Sequence, residues 1–360
     1  MKIVVDFPGR LDRLQEAVDK GGFDNPGELV NVAIENQIEL ELGGVSNEEL
    51  VEINNILSHG SGESSEARTT SPSTTQSPSE FEANNLDLLE YDSVTTVSPP
   101  DSGRLDSGPL WGQYNRIFPV KIILRCLANR IQNEAINQKS ETTSERLLPL
   151  SEFSEQVAEI ARQLGLRIET EDQKQSRGQG EKLSAALPIG DDPEKSKQRF
   201  QTHFIGHAEQ GGDLTGAAPH LLFVSMPVES QGRIGITQAG LEFATITNPL
   251  IDDDLSSGKP LSNSEVEFYI QHVAEQRPAE FSAMRLIARA ILDGDDRPKT
   301  LTKRVSSINN SWSDSQAQTV RSGLVSRMFE LGLVRRERIG QRGIIYKLTD
   351  GAEGVLNSHE

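Results

Sequence analysis

The chain has 360 residues, 54 acidic against 36 basic, and a formal charge of −18; hydrophobic residues make up 35% and aromatic residues 5%. That length holds two or three domains, and apolar content below the globular average implies that part of the chain adds little to a core. A single cysteine, Cys126, excludes an internal disulfide and a zinc knuckle built on cysteine pairs.

No run approaches ~18 apolar residues, so no membrane-spanning helix is expected. The opening Met1–Pro8 stretch lacks a long apolar core and does not read as a signal peptide. The expectation is a soluble, cytoplasmic protein. The acidity is uneven: residues 1–107 hold 6 basic and 21 acidic residues, while the remaining 253 hold 30 and 33. Lys is scarce, 12 against 24 Arg. This composition resembles that of halophilic proteins, whose carboxylates keep the surface hydrated. An acidic segment that shields a basic surface or recruits a basic partner gives the same count.

Residues 1–57 read as a small ordered module. Ile3, Val5 and Phe7 alternate with Lys2, Val4 and Asp6, as in a half-buried strand. A helix follows with Leu11, Leu14, Ala17 and Val18 on one stripe, stopped by Gly21-Gly22. Asn25-Pro26-Gly27-Glu28 then caps a second helix carrying Leu29, Val32, Ala33 and Ile34. Strand, helix, capped turn, helix resembles the ribbon-helix-helix family, which implies strand pairing between two subunits and a homodimer. The outward strand residues Lys2, Val4 and Asp6 suit DNA poorly, so dimerisation and DNA reading both stand as roles.

Residues 58–107 read as a disordered, acidic, Ser/Thr/Pro-rich linker without apolar period. One island, Phe81 and Leu86–Asp92, mixes acidic with apolar residues. It is either collapsed linker or a short motif for a protein partner.

From Leu110 the apolar period returns. A helix from Pro119 carries Val120, Ile123, Leu124, Leu127, Ala128 and Ile131. Ser151 caps a second, through Val157, Ile160, Ala161 and Leu164, with Gly165 as its stop. Residues 169–182 read as a loop. Asp192-Pro193 opens a third helix, with Lys195, Lys197 and Arg199. After a Gly-rich loop, His220–Ile236 reads as two strands around a turn, and Thr237 caps a short helix. After a connecting helix at 262–276 the same order recurs: a helix at 279–292, a shorter one at 299–308, a third at 314–331 capped by Ser313, and a ribbon of 333–337 with 344–348. The expected class is mainly α with small β-hairpins, α+β, with domains at 108–258 and 259–360.

The segment Arg321–Lys347 holds seven basic residues against two acidic ones. Helix, Leu-Gly-Leu-Val, then a ribbon with a Gly-Gln-Arg-Gly tip resembles the third helix and wing of a winged helix-turn-helix domain; the order of elements extends that resemblance to both halves. The resemblance implies double-stranded DNA as partner, with helix 313–331 in the major groove and wing 333–348 on the backbone. The residues implied are Ser315, Gln318, Thr319, Arg321, Ser322 and Arg327 on the helix and Arg335, Arg336, Arg338 and Arg342 on the wing. Strand alternation puts Arg336 and Arg338 on one face and Arg335 on the other. In the first half Lys195, Lys197 and Arg199 are the counterparts. The wing there is poorer, holding Arg233 and Glu229, so DNA and protein contact both stand for that half.

Enzyme readings fare worse. Arg177–Leu183 lacks the spacing and the Ser or Thr of a phosphate-binding loop, and Phe204 stands where a zinc protease needs Glu between His203 and His207. Asp252–Asp254 reads as a solvated loop, and Cys126 as a buried, inert thiol. The expectation is a non-enzymatic, sequence-specific DNA-binding regulator without cofactor or metal. The alternatives are a protein-interaction scaffold on winged-helix domains and a plasmid or mobile-element maintenance factor.

Overall fold

The computed structural model describes residues 86–87, 94–100, 108–137, 147–208, 213–230, 232–253, 255, 258–339 and 343–357. All of them belong to one compact unit, Pro78–Glu360. The strand-helix-helix module expected at 1–57, most of the linker and Arg342 lie outside the described residues.

The class is mixed α and β, mainly helical with small antiparallel sheets. The first half runs α1 (Phe118–Asn137), β1 (Leu148–Pro149), α2 (Leu150–Lys174), α3 (Pro193–Phe200), β2 (His207–Ala208), β3 (Leu214–Thr215), α4 (Ala217–His220), β4 (Val224–Ser225), β5 (Arg233–Ile236) and α5 (Gln238–Thr245). Helix α6 (Asn263–Gln276) leads to the second half: α7 (Pro278–Leu292), α8 (Pro298–Ser306), α9 (Asp314–Glu330), β6 (Val334–Ile339), β7 (Gly343–Leu348) and α10 (Ala352–Asn357).

In the first half β5 is central, pairing antiparallel with β1 on one side and β4 on the other. In the second half β6 and β7 pair antiparallel from Val334↔Leu348 to Ile339↔Gly343. The Tyr346 N–H donates to the carbonyl of Asp296, between α7 and α8, at 2.8 Å. That contact stands where β1 meets β5 in the first half; both halves run helix, extended pairing segment, helices, hairpin, the first with the β2–β3 ladder and α4 added before its hairpin.

Local signals set several boundaries. Asp192 accepts from the Lys195 N–H at 3.2 Å, with Pro193 in the first turn of α3. Thr237 accepts from the Gly240 N–H at 3.1 Å and starts α5. Ser313 and Gln316 form a capping box at α9, and Ser262 and Glu265 form another at α6. Three expectations need correction. Gly165 does not stop α2; it is buried mid-helix, where a Cβ would stand 2.6 Å from Ile189 Cγ2. Its absent side chain admits the 187–189 segment, and the helix runs on to Lys174. Ser151 does not cap α2; Pro149 holds that position without a side-chain bond. The stretch expected as a Gly-rich loop before His220 carries the β2–β3 ladder, and α3 continues into a π-helical turn, Gln201–Ile205.

Helix α1 is buried almost all round, including Lys121, Arg125 and Asn129 at four-residue spacing, each 0% exposed. A cationic stripe inside a core requires partners. Lys121 Nζ donates to the carbonyls of Phe243 and Ile246 and meets Glu265 at 3.0 Å. Arg125 donates to the carbonyls of Ala244 and Ile246 and to both oxygens of Asp252. The last carbonyls of α5, which no intrahelical N–H can satisfy, are thus taken up by cations of another helix. Burial lowers the Lys121 ammonium to about 8 against the opposing pull of Glu265.

The same stripe receives part of the segment expected as linker. Arg125 donates to the Leu86 carbonyl at 3.0 Å and Asn129 to that of Asp87 at 3.1 Å. Val97 is buried, donates to the Ile236 carbonyl and forms a parallel bridge with Thr237. Leu86 and residues 94–97 therefore dock on the first half of the chain itself. One continuous hydrophobic core joins residues of both halves, from Leu110 to Leu356.

His272 lies in that core, its Nε2 2.6 Å from the Leu221 carbonyl and its ring 4.5 Å from that of Phe223. Burial depresses its pKa below the ordinary 6.5. On acidification the unfolded chain takes the proton first, so this contribution is complete above pH 6.5 and lost as pH falls through the depressed value. The urea midpoint of the wild type therefore falls more steeply below pH 6.5 than that of His272→Gln. Parallel curves exclude His272 as the cause.

Candidate nucleic-acid interface

Helix α9 is the centre of the region singled out by its basic charge. Its apolar repeat Ala317, Val320, Leu324, Met328 faces the core, and α8 and β6 pack on it. Ser315, Gln318, Thr319 and Ser322 are half-buried along its other side. The Thr319 hydroxyl donates to the Ser315 carbonyl at 3.0 Å.

Two of the arginines expected at DNA are interior. Arg327 is 1% exposed and Arg321 4%. Arg327 makes a bidentate ion pair with Glu280, Nε–Oε1 2.8 Å and Nη2–Oε2 3.1 Å. It also donates to the carbonyls of Tyr114 at 2.7 Å and Leu110 at 3.3 Å. Glu280 in turn accepts from the Leu110 N–H at 2.8 Å. Arg321 lies between Thr302 Oγ1 at 3.3 Å and the Tyr346 hydroxyl at 3.5 Å. Their burial takes both out of any surface contact, and their charge serves internal carbonyls and hydroxyls.

Arg336 needs the same correction. It stacks on the Phe329 ring at 5.0 Å, donates to the Gly180 carbonyl at 3.1 Å and to Ser326 Oγ at 3.2 Å. Burial lowers its pKa. The 177–184 segment that holds Gly180 is itself fixed by the buried Asp172, which accepts from the Leu183 and Ser184 N–H groups and from Arg177. Arg336 is therefore a tie between the β6–β7 ribbon and the first half.

Among the described residues the exposed cations of the ribbon are Arg335, Arg338 and Lys347. Glu337 sits 2.6 Å from Lys347 and 3.3 Å from Arg335; its hydrogen bond from Lys347 holds its carboxyl below the usual range. Sequence reasoning passed over α8. There Leu301 and Val305 are buried while Arg297, Lys299, Lys303 and Arg304 are exposed. Arg304 pairs with Asp295 at 2.6 Å and Asp293 at 3.4 Å. The available signal was Lys299 and Lys303 spaced four apart, opposite an apolar pair at the same spacing.

In the first half Lys195 and Arg199 are exposed on α3. Lys197 is bracketed by Glu194 at 2.8 Å and Glu159 at 3.1 Å, which raise its pKa and neutralise its charge locally. Beside α3 an open cleft of roughly 720 Å³ is lined by Ser151, Ser154, Glu155, Lys197, Gln201 and His207, among others. Among the described residues no group of three or more His, Cys, Asp or Glu is placed to hold a metal ion, and no helix is long and apolar enough to cross a membrane.

Arg327→Leu strands Glu280 in the interior and takes the side-chain donor from the Leu110 and Tyr114 carbonyls. Losing one partner of a buried pair costs about 3–5 kcal/mol, read as a lower urea midpoint at unchanged slope. Arg335→Ala, at an exposed pair, leaves the urea midpoint nearly unchanged. Equal effects of the two substitutions contradict the placement of Arg327.

No family model matches the chain, and neither a curated protein nor a solved structure matches it.

Proposed function

We propose that this chain is a non-enzymatic duplex-DNA-binding protein built on two winged-helix units, acting by occupancy of a DNA site. The observation that carries the reading is the pair of exposed cationic rims beside α9. One is Arg297, Lys299 and Lys303 at α8; the other lies on β6–β7, with Arg335 and Lys347 around Glu337 on one face of the ribbon and Arg338 on the other. Segment 281–347 holds thirteen basic residues against six acidic in a chain of −18, and Arg321, Arg327 and Arg336 among them are committed internally. Phosphate contacts of this kind supply affinity and register, while a helix in the groove supplies sequence choice. The winged-helix assignment rests on the repeated order of elements and on the central position of β5 between β1 and β4. In the first half, Lys195 and Arg199 are the exposed cations of α3.

A second reading, a protein-interaction scaffold, is favoured by one observation. Part of the outward side of α9 is covered by the chain's own residues around Gly112, which meet Thr319 and Gly323. A helix so covered offers less of its surface to a groove. A homodimer, and regulation of transcription as the biological role, are part of the proposal; the dimer rests on the 1–57 sequence pattern alone.

The test is fluorescence anisotropy of the full chain with duplex DNA across a salt series. Lys299→Ala with Lys303→Ala, and Arg335→Ala with Arg338→Ala, each weaken binding about tenfold. Each also makes the fall of log K with log salt shallower, by about one unit for every phosphate that no longer has a cation on it. A wild-type chain that binds no duplex, or whose binding ignores salt and these substitutions, sinks the reading and moves the balance to the scaffold.

A further inference from the structure

The cleft of roughly 720 Å³ in the first half shares no residue with the cationic rims of the second. One wall is the N-terminal turns of α2, with Ser151, Ser154 and Glu155. A second is α3 and the π-helical turn after it, with Glu194, Gln198 and Gln201. The third is Gly206–Ala208, which includes β2. Among the described residues β3 is the only ladder neighbour of β2, and neither Leu214 nor Thr215 lines the cleft. The cleft therefore borders the unpaired side of β2, where a strand leaves N–H and C=O groups open. Ser154 is 8% exposed and its hydroxyl meets no protein partner, a polar burial that a ligand's peptide group can satisfy. Charge narrows the ligand further. Glu155 and Glu194 are exposed, whereas Lys197 is 17% exposed and already shared between Glu194 and Glu159. The balance of the lining is acidic, and its apolar part is little more than Leu150 and Ala208. Such a surface recognises main-chain groups and a cation rather than an apolar anchor. The carboxamides of Gln198 and Gln201 carry both donors and acceptors, as main-chain amides require.

We propose that this cleft docks an extended peptide bearing lysine or arginine, which adds a strand to the open side of β2 between α2 and α3. Ser154 and Gln201 hold its main-chain groups, and Glu155 and Glu194 hold its basic side chain. The site goes beyond the duplex reading and stands or falls without it.

The experiment selects from a displayed library of random decapeptides on the full-length chain. Enriched sequences are then made as end-blocked synthetic peptides and measured by anisotropy against three proteins. These are the wild type, Ser154→Ala, which removes a hydroxyl that no protein atom uses, and Glu155→Gln with Glu194→Gln. The expected result is enrichment of peptides that carry lysine or arginine. Each variant weakens their affinity about three- to tenfold, and so does main-chain N-methylation of the peptide, which removes strand donors. No enrichment, or enrichment of acidic or apolar sequences, overturns the site. Basic peptides that bind all three proteins equally report general attraction to a chain of −18 and overturn it as well. Loss confined to the glutamine variant, with N-methylated peptides binding like their parents, overturns the strand addition. If Ser154→Ala fails to fold, the glutamine variant and the N-methylated peptides, which leave the core untouched, decide.

Discussion

The buried ion pair between Arg327 of α9 and Glu280 of α7 is the constraint around which the second half is arranged. Neither charge has access to water, so every donor and acceptor must find a protein partner. The backbone of 110–114 supplies them: Arg327 takes the Leu110 and Tyr114 carbonyls and Glu280 takes the Leu110 N–H. A segment that precedes α1 is thereby tied to two helices some 170 to 217 positions away in sequence. The two halves are consequently one packed body with a continuous core.

A parallel arrangement organises the first half. Lys121, Arg125 and Asn129 form a polar stripe along α1; Lys121 and Arg125 take up the open C-terminal carbonyls of α5, with Asp252 and Glu265 as counter-charges, and Asn129 takes the Asp87 carbonyl. Glu265 also accepts from the Ser262 N–H at the start of α6 and from Asn248. One carboxylate thus sets a helix start, neutralises a buried lysine and fixes a loop. The halves are joined by chemistry of the same kind at both ends of α6, and the surface left to outside partners is what these ties do not consume. On the second half that remainder is cationic along α8 and the outer ribbon.

Much of the fold was legible because local rules govern it. The Ser313, Asp192 and Thr237 caps, the helix at 262–276 and the ribbon of 334–348 follow from short-range patterns that tertiary packing did not override. Gly165 was misread because a glycine that admits a neighbouring segment looks in sequence like one that ends a helix. The arginines were misread for a different reason: a charge count carries no burial. The period of α9 does carry it, since Val320, Leu324, Arg327 and Leu331 share one stripe and Arg321 falls four after Ala317 and seven before Met328. Strand alternation placed Arg336 and Arg338 on one face, as the register with Tyr346 and Ile344 has it. What sequence could not show is that this face meets Phe329 and Gly180 at Arg336, while Arg338 remains exposed.

On the proposed function, the cations of α8 and the outer ribbon meet the phosphates of a duplex. The most direct measurement is photo-crosslinking of the full chain to a duplex carrying photoreactive bases and backbone groups, with the joined peptides mapped by mass spectrometry. The account predicts crosslinks concentrated in 297–304 and 335–347. Crosslinks confined to 193–200, or none at concentrations where anisotropy reports binding, would contradict it.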